Sequence, residues 1–251
     1  MTLAGDLEMA QAAEAVVDFV KAFACLQRAQ THLQATAEPF ARERSIVQKG
    51  LWRLSPLWWA DLHHGGLGLR RCRRGDADFF RQCFADDAFR AQFNRQQPWR
   101  GDLGNALENS GRSIPAQSTL LMWVVQSRGG TPLGLASLSS IDPHNHKTEF
   151  SVGFTGTVPP TYGIKATMLV LHFALFLMCF NKVYAYIYED NPQALHNALR
   201  LGFEHEGLLK DHFRLPDVGF VNVNLVALTR TQLQDKAPLR ALAKRLISQD
   251  W

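Results

Sequence analysis

The pattern that most constrains the fold is a series of three strand-like segments joined by short turns in the middle of the chain. Residues 119–127 are rich in apolar side chains, which is typical of a strand, and residues 133–141 and 148–154 are the next two strand-like segments. The glycine pair at 129–130 predicts a hairpin turn after the first segment. The Asp-Pro-containing segment 142–146 predicts another turn before the third. The sequence therefore predicts three consecutive antiparallel strands.

The segments on either side alternate between helix and strand patterns. An apolar run at 166–180 is interrupted by His172 and is shorter than the ~20 residues that a membrane span needs, so it predicts a buried helix. The other predicted elements, in chain order, are a strand at 67–72, a helix at 76–93, a strand at 182–188, a helix at 192–201, a hairpin of strands 206–215 and 220–228 around the turn 216–219, and a closing helix at 231–247. This order predicts an α/β fold with a mixed sheet.

The N-terminal part of the chain has a different composition, because no glycine occurs between Gly5 and Gly50. Apolar residues recur there in steps of three and four, as on one face of an amphipathic helix. They are Met9, Ala13, Val16, Val20 and Phe23. We expect one or two helices whose apolar face packs on the domain that follows or contacts a partner, as in a homodimer.

The glycine pair at 65–66 is the best candidate for a domain boundary. We expect a helical N-terminal extension at 1–66, an α/β domain at 67–230 and a C-terminal helix at 231–251. A chain of 251 residues has the size of one large domain or of one and a half small ones.

The four cysteines stand at wide spacings with no Cys-x-x-Cys pair among them. They are Cys25, Cys72, Cys83 and Cys179. This spacing argues against a disulfide framework or a zinc knuckle and favours a reducing compartment. The first residues carry Asp6 and Glu8 but no Lys or Arg before Lys21, so no secretory signal is expected. We therefore expect a cytoplasmic protein without a membrane segment.

The net charge of +4 raises the question of nucleic-acid binding. Much of the excess lies in one short run, Arg70, Arg71, Arg73 and Arg74, rather than along a helix face. Solvated arginines near a strand end explain such a run equally well. Nucleic acid is therefore not the expected partner, although the charge leaves it open.

Three stretches of the sequence carry a family resemblance. They are GLASLSSID at 134–142, followed by Asn145 and by TEF at 148–150; KVYAYIY at 182–188, leading into EDN; and NPQALHNALRLGF at 191–203, followed by EGLL at 206–209. With the order of the elements, residues 67–230 resemble the GNAT superfamily of acyl-CoA-dependent N-acetyltransferases. The similar branch holds spermidine, ribosomal-protein N-terminal and amino-sugar-nucleotide acetyltransferases. The resemblance implies a mixed, mostly antiparallel central sheet flanked by helices, and acetyl-CoA as acyl donor.

The resemblance also implies where acetyl-CoA binds. In the family the pyrophosphate lies on backbone amides where a helix begins, because free N–H groups and the helix dipole favour an anion there. The matching residues are Tyr162, Gly163, Ile164, Lys165, Ala166 and Thr167. Lys165 would add a positive charge, whereas Pro160 stands where the family has Gln or Arg. The backbone around Gly153, Phe154 and Thr155 is implied to hold the pantetheine arm and to polarise the thioester carbonyl.

The helix that follows Asn191 is implied to face the cofactor as well. Asn191, Ala194 and Asn197 are the contacts that the resemblance implies, with His196 beside them as a substrate contact or as an ordinary surface residue. Many relatives have a tyrosine at the position of Ala198, where it protonates the leaving CoA thiolate. This chain lacks that acid.

The attacking amine needs a base, since its unperturbed pKa is near ~10. Glu149 is the first candidate, because it matches a glutamate that is usual in the branch and shares a strand face with Ser151 and Gly153. The alternative is a structural role, with the carboxylate bonded to neighbouring backbone or to a cross-strand partner. No GxSxG elbow or cysteine nucleophile site competes, so direct transfer from acetyl-CoA to the amine is expected.

Two further groups of residues have chemistry-bearing side chains. Tyr184, Tyr186 and Tyr188 alternate on one strand face, where they line the core or a pocket, and Tyr188 is best placed to reach a ligand because it ends the strand. His144 and His146 stand two apart in a turn, but no Cys or carboxylate cluster accompanies them, so no metal site is predicted.

The function expected from these features is acetyl transfer from acetyl-CoA to a primary amine of a small molecule, such as an amino-sugar nucleotide or a polyamine. A polyamine would need an acidic pocket. The segment 95–118 has more Arg than acidic residues, which favours an anionic acceptor. A protein N-terminus or an aminoacyl-tRNA is another acceptor to consider. The alternative from another class is a catalytically degenerate module that binds CoA or serves assembly, as Pro160 and Ala198 suggest.

Overall fold

The computed structural model describes residues 2–16, 18–36, 40–95, 101–113, 115, 118–216 and 218–249. The chain divides into two compact units. The first comprises Met1–Trp59 with Ile114–Gln117, and the second comprises Ala60–Ser113 with Ser118–Trp251.

The first unit is helical, as expected for the N-terminal extension, but its described residues form three helices where one or two were expected. Its helices are α1 (Leu3–Ala15), α2 (Phe19–Gln34) and α3 (Ala41–Leu54), followed by a 3₁₀ turn at Pro56–Trp59. Thr2 and Asp18 begin the first two helices, since each side chain accepts a hydrogen bond from an N–H of the first turn. The core of this unit contains Ala10, Cys25, Leu26, Ala29, Leu33 and Val47.

An ion pair with a buried carboxylate joins α1 to α2 within this unit. Asp6 is fully buried, and its carboxylate accepts a hydrogen bond from Arg28 Nε at 2.9 Å. His32 Nε2 lies 3.5 Å from the second carboxylate oxygen. A carboxylate without such partners would be costly to bury, so these contacts explain how an acidic residue occupies the interface of two helices.

The second unit is built on an eight-stranded sheet of the described residues, in the order β1-β2-β3-β4-β5-β6-β8-β7. The strands are β1 (Leu62–His64), β2 (Leu67–Arg71), β3 (Leu120–Ser127), β4 (Pro132–Asp142), β5 (Lys147–Phe154), β6 (Lys182–Tyr188), β7 (Glu204–Leu215) and β8 (Gly219–Thr229). All neighbouring strands are antiparallel except β5 and β6. The prediction of a mixed, mostly antiparallel sheet flanked by helices is confirmed. The short strand β1 was not expected, because it lies inside the segment assigned to the helical extension.

Seven helices of the second unit lie in the described residues. They are α4 (Ala77–Ala85), α5 (Asp87–Gln92), α6 (Leu103–Arg112), α7 (Pro160–His172), α8 (Pro192–Arg200), α9 (Arg230–Asp235) and α10 (Ala237–Ile247). A π-helical turn, Phe173–Leu177, continues α7. The predicted helix at 76–93 is two helices, because Asp86 turns out of the helix and accepts hydrogen bonds from the N–H groups of Ala88 and Phe89. The closing helix is likewise divided, at Lys236.

The two faces of the sheet pack against different helices. On one face α4, α5 and α6 cover Met122, Val124 and Leu135 with a cluster of phenylalanines. On the other face the Trp123 ring meets Phe173 edge to face, with ring centroids 5.3 Å apart. Strand alternation explains the division, since Trp123 points away from its neighbours on β3.

Candidate active site

The strands β5 and β6 separate after a short parallel pairing. They pair over three residue positions, from Lys147 opposite Lys182 to Glu149 opposite Tyr184. Beyond that point β5 continues to Phe154 and β6 to Tyr188. The strand backbones beyond Glu149 are therefore not paired with each other, and the sheet opens into a cleft of the kind that can hold an extended ligand.

The helix α7 begins close to the open end of this cleft. Its N-terminus has Pro159 as the cap residue and Pro160 in the first turn, and no side chain of the described residues caps it. A Cβ added at Gly163 would meet only Phe154 Cε2, at 3.8 Å, within the described part of the chain. The first turn of α7 therefore has open surface and an uncapped helix end, which fits the diphosphate of CoA.

The turn between β1 and β2 lies against the same part of α7. A Cβ added at Gly65 would stand 3.4 Å from Lys165 Nζ, and one at Gly66 would stand 4.0 Å from the Tyr162 hydroxyl. Both glycines have positive φ angles, +55° and +89°, which residues with a side chain rarely adopt. The turn thus brings the backbone close to two of the residues that sequence analysis assigned to cofactor binding.

Several of the other predicted cofactor residues are already engaged inside the protein. The Thr155 N–H donates to the Leu133 carbonyl at 2.9 Å. Ala166 and Thr167 are buried, and the Thr167 hydroxyl donates to the Gly163 carbonyl. Acetyl-CoA could therefore contact these three residues only through atoms that are neither buried nor already hydrogen-bonded within the protein. Ile164 is exposed on α7.

The predicted residues of α8 have structural partners too. The Asn191 side chain caps α8 by accepting from the Ala194 N–H at 3.0 Å, and its amide donates to the Ala91 carbonyl at 3.3 Å. Asn197 is exposed and accepts from Gln193 Nε2 at 3.0 Å. Their assignment to cofactor binding stays a prediction.

Glu149 lies at the foot of the cleft, as the last residue of β5 that is paired with β6. It is half-buried, and burial raises the pKa of its carboxyl above the ordinary value, while hydrogen bonds with Ser140 and Ser139 act in the opposite direction. Ser140 Oγ is 3.3 Å from Glu149 Oε2. A carboxylate in this position can accept a proton from a substrate that enters the cleft.

Aromatic side chains stand beside Glu149 on the same face of the sheet. The ring centroids of Tyr184 and Tyr186 are 5.6 Å apart, and Tyr186 also meets His212 at 4.9 Å and Phe213 at 5.5 Å. The tyrosines were expected, whereas sequence analysis missed His212 and Phe213. The register of β7 shifts between Leu209 and Phe213, and hairpin patterns give no local signal for such a bulge.

Two arginines of the run, and the turn that contains the histidines, have structural partners. Arg70 makes two hydrogen bonds to Asp76, at 2.8 and 2.7 Å. Arg71 lies over the Trp123 ring at 4.9 Å, and burial lowers the pKa of Arg71 to about 10. Asp142 accepts hydrogen bonds from the N–H groups of His144 and Asn145 and so holds their turn. No group of three or more His, Cys, Asp or Glu suited to a metal ion occurs among the residues that the structure describes.

Residues 67–204 match the family model of the acetyltransferase (GNAT) domain. The chain belongs to the GNAT acetyltransferase family. It is thus an acyl-CoA-dependent N-acetyltransferase, and the family uses acetyl-CoA. No curated protein matches the sequence. In the described part of this acetyltransferase no helix is long and apolar enough to cross a membrane.

Solved structures with the same fold include other acetyltransferases. A chimera of the spermidine N-acetyltransferase from Vibrio cholerae and hSSAT has a TM-score of 0.58 and 20% identity, covering 68% of this chain and 100% of that one. The Vibrio cholerae enzyme in complex with CoA and spermine has a TM-score of 0.58 and 18% identity, with 67% and 98% covered. A GCN5-related N-acetyltransferase from Brucella melitensis has a TM-score of 0.59 and 14% identity, with 74% and 85% covered.

Proposed function

We propose that this acetyltransferase moves the acetyl group of acetyl-CoA to a primary amine of a small polycation, such as a polyamine, with Glu149 as the base. The observation that carries the proposal is the position of the Glu149 carboxylate at the foot of the β5–β6 cleft, beside Tyr184. The Glu149 charge contributes to raising the pKa of Tyr184, Tyr186 and Tyr188. The negative potential of this carboxylate thus extends along the tyrosine face.

An aromatic wall next to a carboxylate suits a protonated amine. A cation over a tyrosine or phenylalanine ring is attracted by the ring's quadrupole, and the carboxylate adds an opposite charge. Tyr184, Tyr186 and Phe213 form such a wall. These groups would hold an ammonium group near Glu149 and would repel a phosphate.

The arginines of the segment 95–118 favour an anionic acceptor less once their acidic partners are considered. Arg95 is paired with Asp190, and Arg112 is paired with Glu108 at 2.6 Å. Arg100 lies outside the described residues. Two of the arginines that favoured an anionic acceptor therefore have acidic partners, so a polyamine is preferred to an amino-sugar nucleotide. The similar fold of an enzyme solved with spermine agrees with this choice.

For this reaction the protein must hold acetyl-CoA, allow the amine to attack the thioester carbonyl and accept the proton that the amine loses. The first turn of α7 and Lys165 would hold the diphosphate, and the open backbone of β5 would hold the pantetheine arm. Acetyl-CoA, when bound, supplies the thioester carbonyl that the amine attacks, and CoA leaves as the thiolate when the C–S bond breaks. Glu149 takes the proton that the amine nitrogen loses as the new N–C bond forms.

Calorimetry with acetyl-CoA, followed by an amine panel, tests the proposal. The intact protein is expected to bind acetyl-CoA. Gly163→Trp is expected to abolish binding by filling the surface at the start of α7. Gly163→Ala is the matched control, because its Cβ would meet Phe154 at an ordinary contact distance of 3.8 Å.

The panel would contain spermidine, spermine, an amino-sugar nucleotide, a peptide with a free N-terminus and an aminoacyl-tRNA, with thiol release as the readout. We expect turnover with the polyamines first. Turnover with another acceptor alone would overturn the polyamine assignment. Binding of acetyl-CoA without turnover on any amine would instead point to a module that binds CoA and no longer catalyses.

A further inference from the structure

We propose that Ser140 is a positioning residue of the transfer reaction, which fixes the Glu149 carboxylate beside Tyr184. The inference rests on the proposed role of Glu149 as the base. It concerns a residue that has no special signal in the sequence, where Ser140 is the second of two consecutive serines.

The backbone of β4 places two consecutive serines toward one carboxylate. Ser139 stands directly opposite Glu149 in the β4–β5 ladder. In a regular strand the next residue would point to the other face of the sheet. The ladder is irregular between Ser139 and Asp142, however, and Ser140 Oγ comes within 3.3 Å of Glu149 Oε2. The irregularity thus turns Ser140 toward the same carboxylate.

The conformation of Ser140 is unfavourable for a residue with a Cβ. Its φ angle is +48°, in the left-handed region that favours glycine. Strained backbone of this kind persists when the surroundings enforce it, and it is concentrated at functional sites. Here the strained residue is the one whose hydroxyl is bonded to Glu149. The proposed function assigns the proton transfer to this carboxylate.

Tyr184 stands beside this serine–carboxylate pair on the neighbouring strand. It lies opposite Glu149 in the last pair of β5 and β6. A serine hydroxyl has a single proton to donate, and the contact of 3.3 Å allows Ser140 to donate it to Glu149 Oε2. Ser140 thus orients the carboxylate at the point where the aromatic face of β6 begins.

The charged and titratable neighbours of Glu149 define the expected pH effect. From β4 it meets the hydroxyls of Ser139 and Ser140, and from β6 its charge acts on Tyr184, Tyr186 and Tyr188. His212 of β7 packs on Tyr186, one layer further out, and Asp142 acts on Tyr184. Loss of the Ser140 hydroxyl removes a bond that stabilises the charged carboxylate, so the pKa of Glu149 is expected to rise.

The test compares Ser140→Gly with Ser248→Gly. Both replace a serine at positive φ, +48° and +54°, so glycine keeps the backbone conformation in each. Only Ser140→Gly removes a hydroxyl next to Glu149. The first measurement follows the Glu149 carboxyl carbon by NMR as a function of pH, with Glu149→Gln used to assign its resonance. The second is the pH profile of kcat/KM with spermidine, and the thermal midpoint of each variant checks folding.

We expect Ser140→Gly to move both the Glu149 titration and the acid limb of the kcat/KM profile to higher pH, and Ser248→Gly to move neither. An unchanged Glu149 titration in folded Ser140→Gly would overturn the inference about Ser140. A shifted titration with an unchanged acid limb would show that Ser140 does hold Glu149 but that Glu149 is not the base. A lack of transfer in the intact protein counts against the proposed function alone, because the NMR measurement does not depend on turnover.

Discussion

Arg95 and Asp190 form a two-point ion pair, with N–O distances of 2.8 and 2.6 Å. The same guanidinium lies over the Tyr188 ring, 4.3 Å from its centroid. One residue further along the chain, the Asn191 amide donates to the Ala91 carbonyl. These contacts attach the end of α5 and the residues just after it to the end of β6, where the cleft is open.

Loss of Arg95 is expected to weaken this attachment moderately. Arg95→Met should lower the free energy of unfolding by about 1 kcal/mol, because a partly exposed ion pair and a cation–π contact each contribute about 0.5–1 kcal/mol. Urea unfolding measures the change. Arg81→Met is the control, since its pairing with Asp78 stays within one helix. An equal effect of the two substitutions would contradict a special role for Arg95.

The same ion pair should make stability depend on pH. The hydrogen bond from Arg95 holds the pKa of Asp190 below its ordinary value. A carboxyl with a lowered pKa stabilises the fold above its unfolded-state pKa, and the stabilisation is lost as the pH falls through the folded-state pKa. The difference in unfolding free energy between the intact protein and Arg95→Met should therefore be full near pH ~7 and shrink below pH ~4. If the difference in unfolding free energy were the same at both pH values, the Arg95–Asp190 pair would not be its source.

The close approach of β4 to β5 should make Gly134 intolerant of a side chain. A Cβ at Gly134 would stand 2.1 Å from the Gly153 carbonyl oxygen and 2.8 Å from Phe154 Cα, both of which are backbone atoms. Gly134→Ala is expected to cost about 3 kcal/mol or more, since the strand must move to relieve the overlap. The displaced residues are those assigned to the pantetheine arm, so acetyl-CoA binding should weaken as well.

Gly75→Ala is the matched control for that substitution. A Cβ at Gly75 would meet nothing within 4 Å among the described residues, so its effect on stability should stay within about 0.5 kcal/mol. Urea unfolding and acetyl-CoA calorimetry on both variants make the comparison. Wild-type stability of Gly134→Ala would show that the two strands are further apart than described.

Sequence patterns predicted the elements whose limits are marked by nearby residues, such as turn residues at the ends of strands. The three strands between Leu120 and Phe154 have turn residues at their ends, and they form the predicted antiparallel series. The helix α6 was missed because Gly104 and Gly111 lower its helix propensity. The structure gives a reason for Gly111, since a Cβ there would stand 2.9 Å from the Cys72 carbonyl oxygen.

The candidate site was predictable only where a family pattern or strand alternation marks it. Glu149 and the tyrosines of β6 were named from the sequence, but the pairing of Glu149 with Tyr184 is a parallel contact between distant segments. The irregular ladder that turns Ser140 toward Glu149 depends on how β4 and β5 align. No periodicity of a single strand reports such an alignment.

Replacement of Glu149 is the most direct test of the chemistry. Glu149→Gln keeps the size of the side chain and one acceptor oxygen but cannot take a proton, so kcat/KM with the preferred amine should fall by about 10²–10⁴-fold. Acetyl-CoA binding should stay nearly unchanged, since the carboxyl lies at the foot of the cleft rather than beside α7.

Burial raises the pKa of Glu149, and the base must be ionised, so the acid limb of the wild-type profile should lie above the ordinary glutamate pKa. Glu8→Gln, on the exposed surface of α1, is the control for a loss of negative charge. If Glu149→Gln retained wild-type kcat/KM, another group or a water chain would have to accept the amine proton, and the aromatic face would be left with a binding role only.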